Sequence, residues 1–369
     1  MLYEGLPYFI KEGDRCMDVD TFLPIGQQLA RTRWGTQEKG AAFDRKKSFY
    51  LTEQAQNFIA QQAFCVIAGK GPRHELDAQL IMERPGFVEF IDQQTCLLYF
   101  HDRLRTSLLF QGLQQSSSAE LSDQVGLFFI CHTTRERLCV QAKAQLLSGK
   151  KSPPFLPSIQ ERSLCIRLTV QQSFFHCAKY IRTRVSGLTA PLTPSSRQKW
   201  HPQRLLNGNL DSLSEELHAF LAQQVFCFLC TISQNGQCAV NHRGGAPGFL
   251  LTLPPDTASL HGTVLLPDYT GNGAFEALGN ILETGLATVL VPHYAAQLAV
   301  CIAGTARICE LAELPTGLAQ KFPGAERMIA LSVQRIAVQH GDWSTTLACE
   351  RFRAESIGTT IDPALAYPV

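Results

Sequence analysis

Two short segments of the 369-residue chain combine residue types that hold a phosphate. Asn241-His242-Arg243-Gly244-Gly245 offers a guanidinium for charge and adjacent glycines that let the backbone come close to a ligand. Asp268-Tyr269-Thr270-Gly271-Asn272-Gly273 leads into a helix predicted over 274–282, whose opening amides and positive dipole end favour anions. Either segment alone says little, because arginine-glycine pairs occur in ordinary turns and Gly-Asn-Gly commonly precedes a helix. Their succession in one stretch points to an anionic ligand.

Other chemically capable residues have a plainer reading. Cys227 and Cys230 lie three apart on a predicted strand, so their thiols face opposite ways and pack rather than share an ion. His176 and Cys177 are adjacent and diverge similarly, although His176 stays open as a ligand for haem or a metal. His340 is its rough counterpart further along the chain. The thirteen cysteines are odd in number and sit mostly in apolar runs, which predicts reduced, buried thiols and no disulfide framework. No metal site is expected. Trp343 either stacks on a ring-shaped cofactor or closes a core.

Composition excludes several functions. Lys+Arg 33 against Asp+Glu 32 leaves +1, which removes the global electrostatic case for nucleic acid or an anionic membrane. The longest apolar runs, such as 225–230, are strand-length, far from the ~20 residues needed to span a bilayer. The start lacks a basic region followed by an apolar run, so a cytoplasmic, soluble protein is expected. With 45% hydrophobic and 18% charged residues, more surface than usual is expected to lie between domains or subunits.

The elements that must position the two segments come from a repeat. QNFIAQQAFCVI around Phe58 matches HAFLAQQVFCFL around Phe220, 162 positions on. The Pro-Gly-Phe at 85–87 matches that at 247–249, Leu127 falls opposite Val289 and Cys139 opposite Cys301, all at 162. Between the second and third matches the register slips by about four residues and recovers. IRLTV at 166–170 matches IALSV at 329–333. The chain therefore reads as an arm (1–50), a first copy (51–185), a linker rich in Pro, Ser and Thr (186–209), a second copy (210–350) and a tail (351–369). Two copies of one self-associating domain can dock as an intramolecular pseudo-dimer; a further homodimer is left open.

Each copy reads as mainly β. In the second, a helix is predicted over 213–224 with Asp211 or Ser212 as cap, then strands joined through an Asn-Gly hairpin. About six antiparallel strands with two short helices per copy imply a small β-barrel. The polar arm is expected to pack as helix across the barrels.

FLAQQVFCFLCTISQNGQCAVNHRGGAPGFL, LPDYTGNGAFEALGNIL and LAVCIAGTARI together resemble the pyridoxamine 5′-phosphate oxidase-like proteins, the FMN-binding split β-barrels. Within them the chain is similar to a branch with S-P-R-G-G-P-P-G-F, D-Y-x-G-N and L-G-N motifs. FFHCAKYIRTR at 174–184 resembles that branch's closing N-C-P-x-H-I segment. The likeness covers the second copy best. It implies two tandem split β-barrels with FMN, or a related flavin, at their interface, one barrel holding the phosphate and the other covering the ring.

Carried over by position, the resemblance sets Arg243 on the phosphate with Asn241, His242 and Gly244 beside it. Tyr269, Thr270, Gly271 and Asn272 would line the phosphate loop. From the other copy, His176, Cys177 and Lys179 are the implied catalytic candidates and Arg182 a cofactor contact. The implied function is a flavoprotein oxidoreductase acting on a small-molecule organic substrate. Haem binding or degradation is one alternative, with His176 or His340 as axial ligand, and a non-catalytic protein with a decayed site is another. Asn241-His242 departs from the branch's Ser-Pro, and Gly273 stands where a basic residue is common. In the first copy Glu83-Arg84 precedes Pro-Gly-Phe and HDRLRTS replaces the loop, so a degenerate site is expected there. The carboxy-terminal basic and tryptophan pattern of true vitamin B6 oxidases is absent.

Overall fold

The computed structural model describes residues 23–118, 123–147, 163–176, 181, 213–257, 259–293, 297–314, 316–341 and 343–356. The first sheet contains β1 (Phe64–Lys70), β2 (Leu76–Met82), β3 (Val88–Phe90), β4 (Thr95–His101), β5 (Asp123–Cys131), β6 (Glu136–Leu147) and β7 (Ser163–Phe175). The second contains β8 (Phe226–Ile232), β9 (Cys238–Gly244), β10 (Leu251–Leu253), β11 (Thr263–Tyr269), β12 (Leu286–His293), β13 (Leu298–Glu310) and β14 (Ala325–His340). Read across, the orders are β2-β1-β5-β6-β7-β4-β3 and β9-β8-β12-β13-β14-β11-β10. Substituting each strand by its successor seven places on converts one order into the other. The fold is two tandem, mainly β split barrels.

Registers repeat as well as order. Phe64 pairs with Met82 and Phe226 with Gly244, both at the offset of 162. A β-bulge falls between Gln141 and Ala142 and another between Ala303 and Gly304, again 162 apart. Two details differ from expectation. Leu98 faces Ile166 where Leu266 faces Ile329, so β4 and β11 are 168 apart and the slip is six residues, taken up by a longer β10–β11 hairpin. The last strands run at 163 along their whole pairing, since Val170 pairs with Ala142 and Val333 with Gly304, and Gln172 with Gln141 and Arg335 with Ala303. The counterpart of His176 is therefore Gln339, and His340 is exposed at the end of β14.

Two helices, α1 (Ile25–Arg33) and α2 (Gln37–Asp44), belong to the amino-terminal arm, and α3 (Glu53–Ala60) opens the first copy. Within the barrels lie α4 (Leu108–Ser118), α5 (Glu215–Gln223) and α6 (Glu276–Thr284), followed by α7 (Thr316–Ala319) and a carboxy-terminal α8 (Ser344–Ser356). α5 starts later than predicted because Ser214, not Asp211 or Ser212, accepts from the Leu217 amide as its cap. Leu213 is left outside the helix, buried at 5% exposure. The proposed linker, 186–209, lies outside the described residues.

Strand alternation explains how the barrels join. On β8, Cys227 and Leu229 face the second barrel's core, while Phe226, Phe228, Cys230 and Ile232 face the first barrel. β1 repeats this, with Cys65 and Ile67 inward and Phe64, Val66 and Ala68 outward into the same seam. Strands apolar on both faces need a partner for each, and the other copy supplies the second. β5 packs on β9 and β12 on β2, the reciprocal pattern of a two-fold interface. Phe128 and Phe228 meet there edge to face at 5.6 Å, both fully buried. Cys139 Sγ donates to Val240 O at 3.4 Å and Cys301 Sγ to Ala78 O at 3.7 Å, the same contact made twice. Of the thirteen cysteines, eleven are described and all are free thiols.

Candidate functional site

β9 and β11 each end at one rim of the second barrel, where the chain turns through 270–275 into α6. Against this rim lie Arg137 of β6 and His176, which follows β7, both from the first copy. They enclose a cavity of about 110 Å³. Asn241, His242, Arg243, Gly244, Asp268, Tyr269, Gly271 and Asn272 line it together with the opening residues of α6. Helix-opening amides have no intrahelical partner, so this wall attracts negative charge.

The turn is held in an unusual backbone path. Gly273 has φ +75°, and Phe275 takes the left-handed conformation at φ 56° just before α6. The helix thus begins two residues later than predicted. The arm braces the turn: Gln27 Nε2 and Arg31 Nε donate to Ala274 O at 2.7 and 3.2 Å. Arg31 also grips Asp44, and Lys47 Nζ reaches Glu276 Oε1 at 2.9 Å. α1 crosses α6 where Gly26 meets Gly279; a Cβ on Gly279 would lie 2.5 Å from Gln27 Cα. The arm therefore packs chiefly on the site's helix, with Phe43 reaching into the seam.

The charges are paired in a chain. Arg243 Nη1 binds Asp268 Oδ1 at 2.5 Å, and Arg327 Nε lies 3.1 Å from Asp268 Oδ2. Arg243 is thus engaged by the carboxylate of the neighbouring motif, a pairing the sequence reading did not anticipate. Its Nε has no hydrogen-bond partner. Asn241 Oδ1, His242 Nδ1 and His176 Nε2 at the cavity share that state, as does Asp268 Oδ2, which has only its ion pair with Arg327.

Both histidines are held neutral. Burial, then the positive charges of Arg137, Lys47 and Arg243, push His176 down to about 3. Burial and the neighbouring Arg137, His132 and Arg243 push His242 well below the ordinary histidine value. His242 stacks on Phe226 at 5.5 Å and His176 on Phe43 at the same distance, so aromatic faces fix both rings.

Not every expected residue is here. Thr270 turns outward and donates to Glu326 Oε1 at 2.6 Å. Cys177, Lys179 and Arg182 lie outside the described residues. Trp343 is fully buried in the seam, edge-on to Phe64 at 5.5 Å, and does not line the cavity. Arg137 was missed by the sequence reading. Its signal was a difference between copies, since the repeat places Ala299 at that position.

The mirror position in the first copy is filled. Ile81 and Met82 replace Arg243 and Gly244, and Leu80 replaces His242. Gln339, in the place of His176, donates from Nε2 to Leu80 O at 2.6 Å and accepts from Leu80 N at 2.9 Å. Met82 packs directly on Gly341. Among the described residues, no group of three or more His, Cys, Asp and Glu is placed to hold a metal, and no helix is long and apolar enough to cross a membrane.

No protein-family model and no curated protein matches the chain. Parts of it are similar to solved structures. HupZ of Group A Streptococcus is 15% identical over 35% of this chain and 95% of its own, with a TM-score of 0.27. HutZ, the haem storage protein of Vibrio cholerae, is 13% identical over 34% of this chain and 94% of its own, at 0.23. A protein of Lactobacillus delbrueckii described as a pyridoxamine 5′-phosphate oxidase is 13% identical over 35% of this chain and 98% of its own, at 0.27.

Proposed function

We propose that the seam cavity holds the phosphate end of flavin mononucleotide and that the protein is an FMN-dependent oxidoreductase for a small organic substrate. The supporting observation is the convergence of four partnerless buried polar atoms, from both copies, on one cavity at a helix start. Leaving such an atom unsatisfied costs about 1–3 kcal/mol, so the group suits a polar ligand. Arg243 Nε and the amides opening α6 donate to phosphate oxygens, and Asn241 Oδ1 accepts from a hydroxyl of the attached polyol. A volume of about 110 Å³ accommodates the phosphate end and not a whole cofactor, whose sites run to roughly 300–1,000 Å³. When bound, the flavin supplies electron transfer between donor and substrate, and the protein supplies its orientation and electrostatic surroundings.

The purified protein tests this by its absorption spectrum and by chromatography of the released cofactor. Flavin bands and released FMN are expected. Arg243→Ala should weaken FMN by about 10- to 100-fold, the value of a charge-assisted hydrogen bond. Protein that carries no flavin and takes none up on titration would overturn the reading. Haem is the second reading, because a neutral imidazole, His176, lines the cavity; it requires the ring proton of His176 on Nδ1 with Nε2 free to ligate, and a Soret band in the same spectrum would select it.

A further inference from the structure

Asn272 uses both ends of its amide inside the protein. Its Oδ1 accepts from the Ala274 amide at 3.0 Å, which turns Nδ2 toward His176 Nδ1, 3.4 Å away. An amide nitrogen only donates, so His176 Nδ1 accepts. In a neutral imidazole the single ring proton then sits on Nε2. That Nε2 is buried without a partner in the chain, and His176 lines the seam cavity. The ring cannot easily turn away, because Phe43 stacks on it at 5.5 Å and Phe174 meets its edge at 5.1 Å. Its backbone amide is also tied, donating to Arg137 O at 3.0 Å.

We propose that His176 delivers a neutral Nε2–H hydrogen bond across the copies to an acceptor oxygen of a phosphate group bound in the seam cavity, with Asn272 as the positioning residue that sets its tautomer. This rests on the reading of the cavity as the anion end of an FMN site. The charged groups facing the ring keep it neutral. Arg137 comes from β6, Lys47 follows α2 and Arg243 comes from β9, and all three disfavour a second proton. The two carboxylates of the cavity wall are already engaged, Asp268 by Arg243 and Arg327, Glu276 by Lys47. A donor that is neutral at pH 7 adds a bond to the anion without altering the site's charge.

The same tautomer disfavours haem ligation. A proton on Nε2 removes the lone pair an iron would need there, and Nδ1 faces Asn272. Moving the proton to Nδ1 would set it against the Asn272 amide protons. Flipping that amide instead would set its protons against the Ala274 amide. At the mirror position Gln339 is tied to both backbone groups of Leu80, so the pseudo-symmetry does not duplicate the donor.

The test uses the full chain with isotope-labelled histidine and two-bond proton–nitrogen correlation spectra, the His176 signals being assigned by their loss in His176→Gln. The expected result is a neutral Nε2–H tautomer for His176 at pH 7, with its Nε2 signal moving as inorganic phosphate is added. In Asn272→Asp both side-chain oxygens accept, so the proton should move to Nδ1 or the ring should become charged. FMN affinity in the neutral case should fall about tenfold, the worth of one hydrogen bond, with riboflavin affected less. A wild-type Nδ1–H tautomer, or an Nε2 signal indifferent to phosphate, overturns the proposal even where Asn272→Asp fails to fold. If phosphate moves the signal and FMN does not bind, the donor stands and the flavin reading falls. If FMN binds and the signal stays still, the reverse holds.

Discussion

Arg243 and Asp268 meet at 2.5 Å, so the guanidinium of one phosphate-type segment is held by the carboxylate of the other. Asp268 is also 3.1 Å from Arg327, whose side chain is only 3% exposed. Arg327 pairs with Glu326 as well, so the four charged groups of this rim compensate one another. With those charges compensated, the unpaired amides and dipole end at the opening of α6 are what make the cavity attractive to an anion.

Replacing Asp268 by Asn separates these two roles. Without the counter-charge, Arg243 loses its carboxylate and Arg327 keeps only Glu326, and stability should fall by about 3–5 kcal/mol. Anion affinity should rise, because Arg243 is released toward the cavity. Urea unfolding reads the first effect and phosphate titration the second. Unchanged or weaker phosphate binding would show that Asp268 does not compete for Arg243.

The seam should behave as core. Phe228 is fully buried against Phe128, and Phe228→Ala should cost about 3–5 kcal/mol through lost burial and the cavity left behind. Leu260→Ala, at a side chain 75% exposed, should stay within about 0.5 kcal/mol. Chemical denaturation of the two variants compares them directly, and equal midpoints would contradict a seam that holds the halves together.

The arm's attachment hangs on Gly279. A methyl group there would press on backbone atoms of Gln27 at 2.5 Å, which have nowhere to yield. Gly279→Ala should loosen α1 and α2 from α6 at a cost of about 1–3 kcal/mol. Limited proteolysis with mass spectrometry should then cut within 25–47 while the sheets stay protected. An arm as resistant as in the parent protein would disprove this anchoring.

Stability should fall on acidification below the ordinary histidine range. His132, His176 and His242 all have depressed folded values, burial being the leading cause for each. Between about pH 6.5 and the lower folded values the unfolded chain therefore binds protons that the folded chain refuses. Each such group contributes a slope of up to about 1.4 kcal/mol per pH unit, with stability rising as pH rises and fully restored above that window. His242→Phe keeps a ring against Phe226 and should flatten the profile measured by urea midpoints from pH 5 to 7. An unchanged slope would mean His242 is protonated in the folded protein.

The repeat was legible because apolar alternation encodes which face of a strand is buried. Phe226, Phe228 and Cys230 against Cys227 and Leu229 required two cores, and the offset of 162 identified their counterparts. Connection length has no such signature: the β10–β11 loop shifted the register by six, and one extra residue between β13 and β14 relative to the first copy set Gln339, not His340, at the place of His176. Ser214 as helix cap was likewise decided by which hydroxyl reached an amide.

The site divides along the same line. Arg243, Gly244, Tyr269, Gly271 and Asn272 were visible as types near one another in the chain, because a strand end and the following turn are local features. His176 was legible as a candidate from the other copy through the resemblance, whereas Arg137 and Phe43 entered from the first copy and the arm, and Thr270 left, through contacts between residues far apart in the chain. Residue order determined the two barrels and the glycine-rich rim. Only the packed chain decided that Asp268 restrains Arg243, that Asn272 orients His176 and that the mirror position is filled, since charge pairing, tautomer and void space depend on distances between side chains that no local pattern contains.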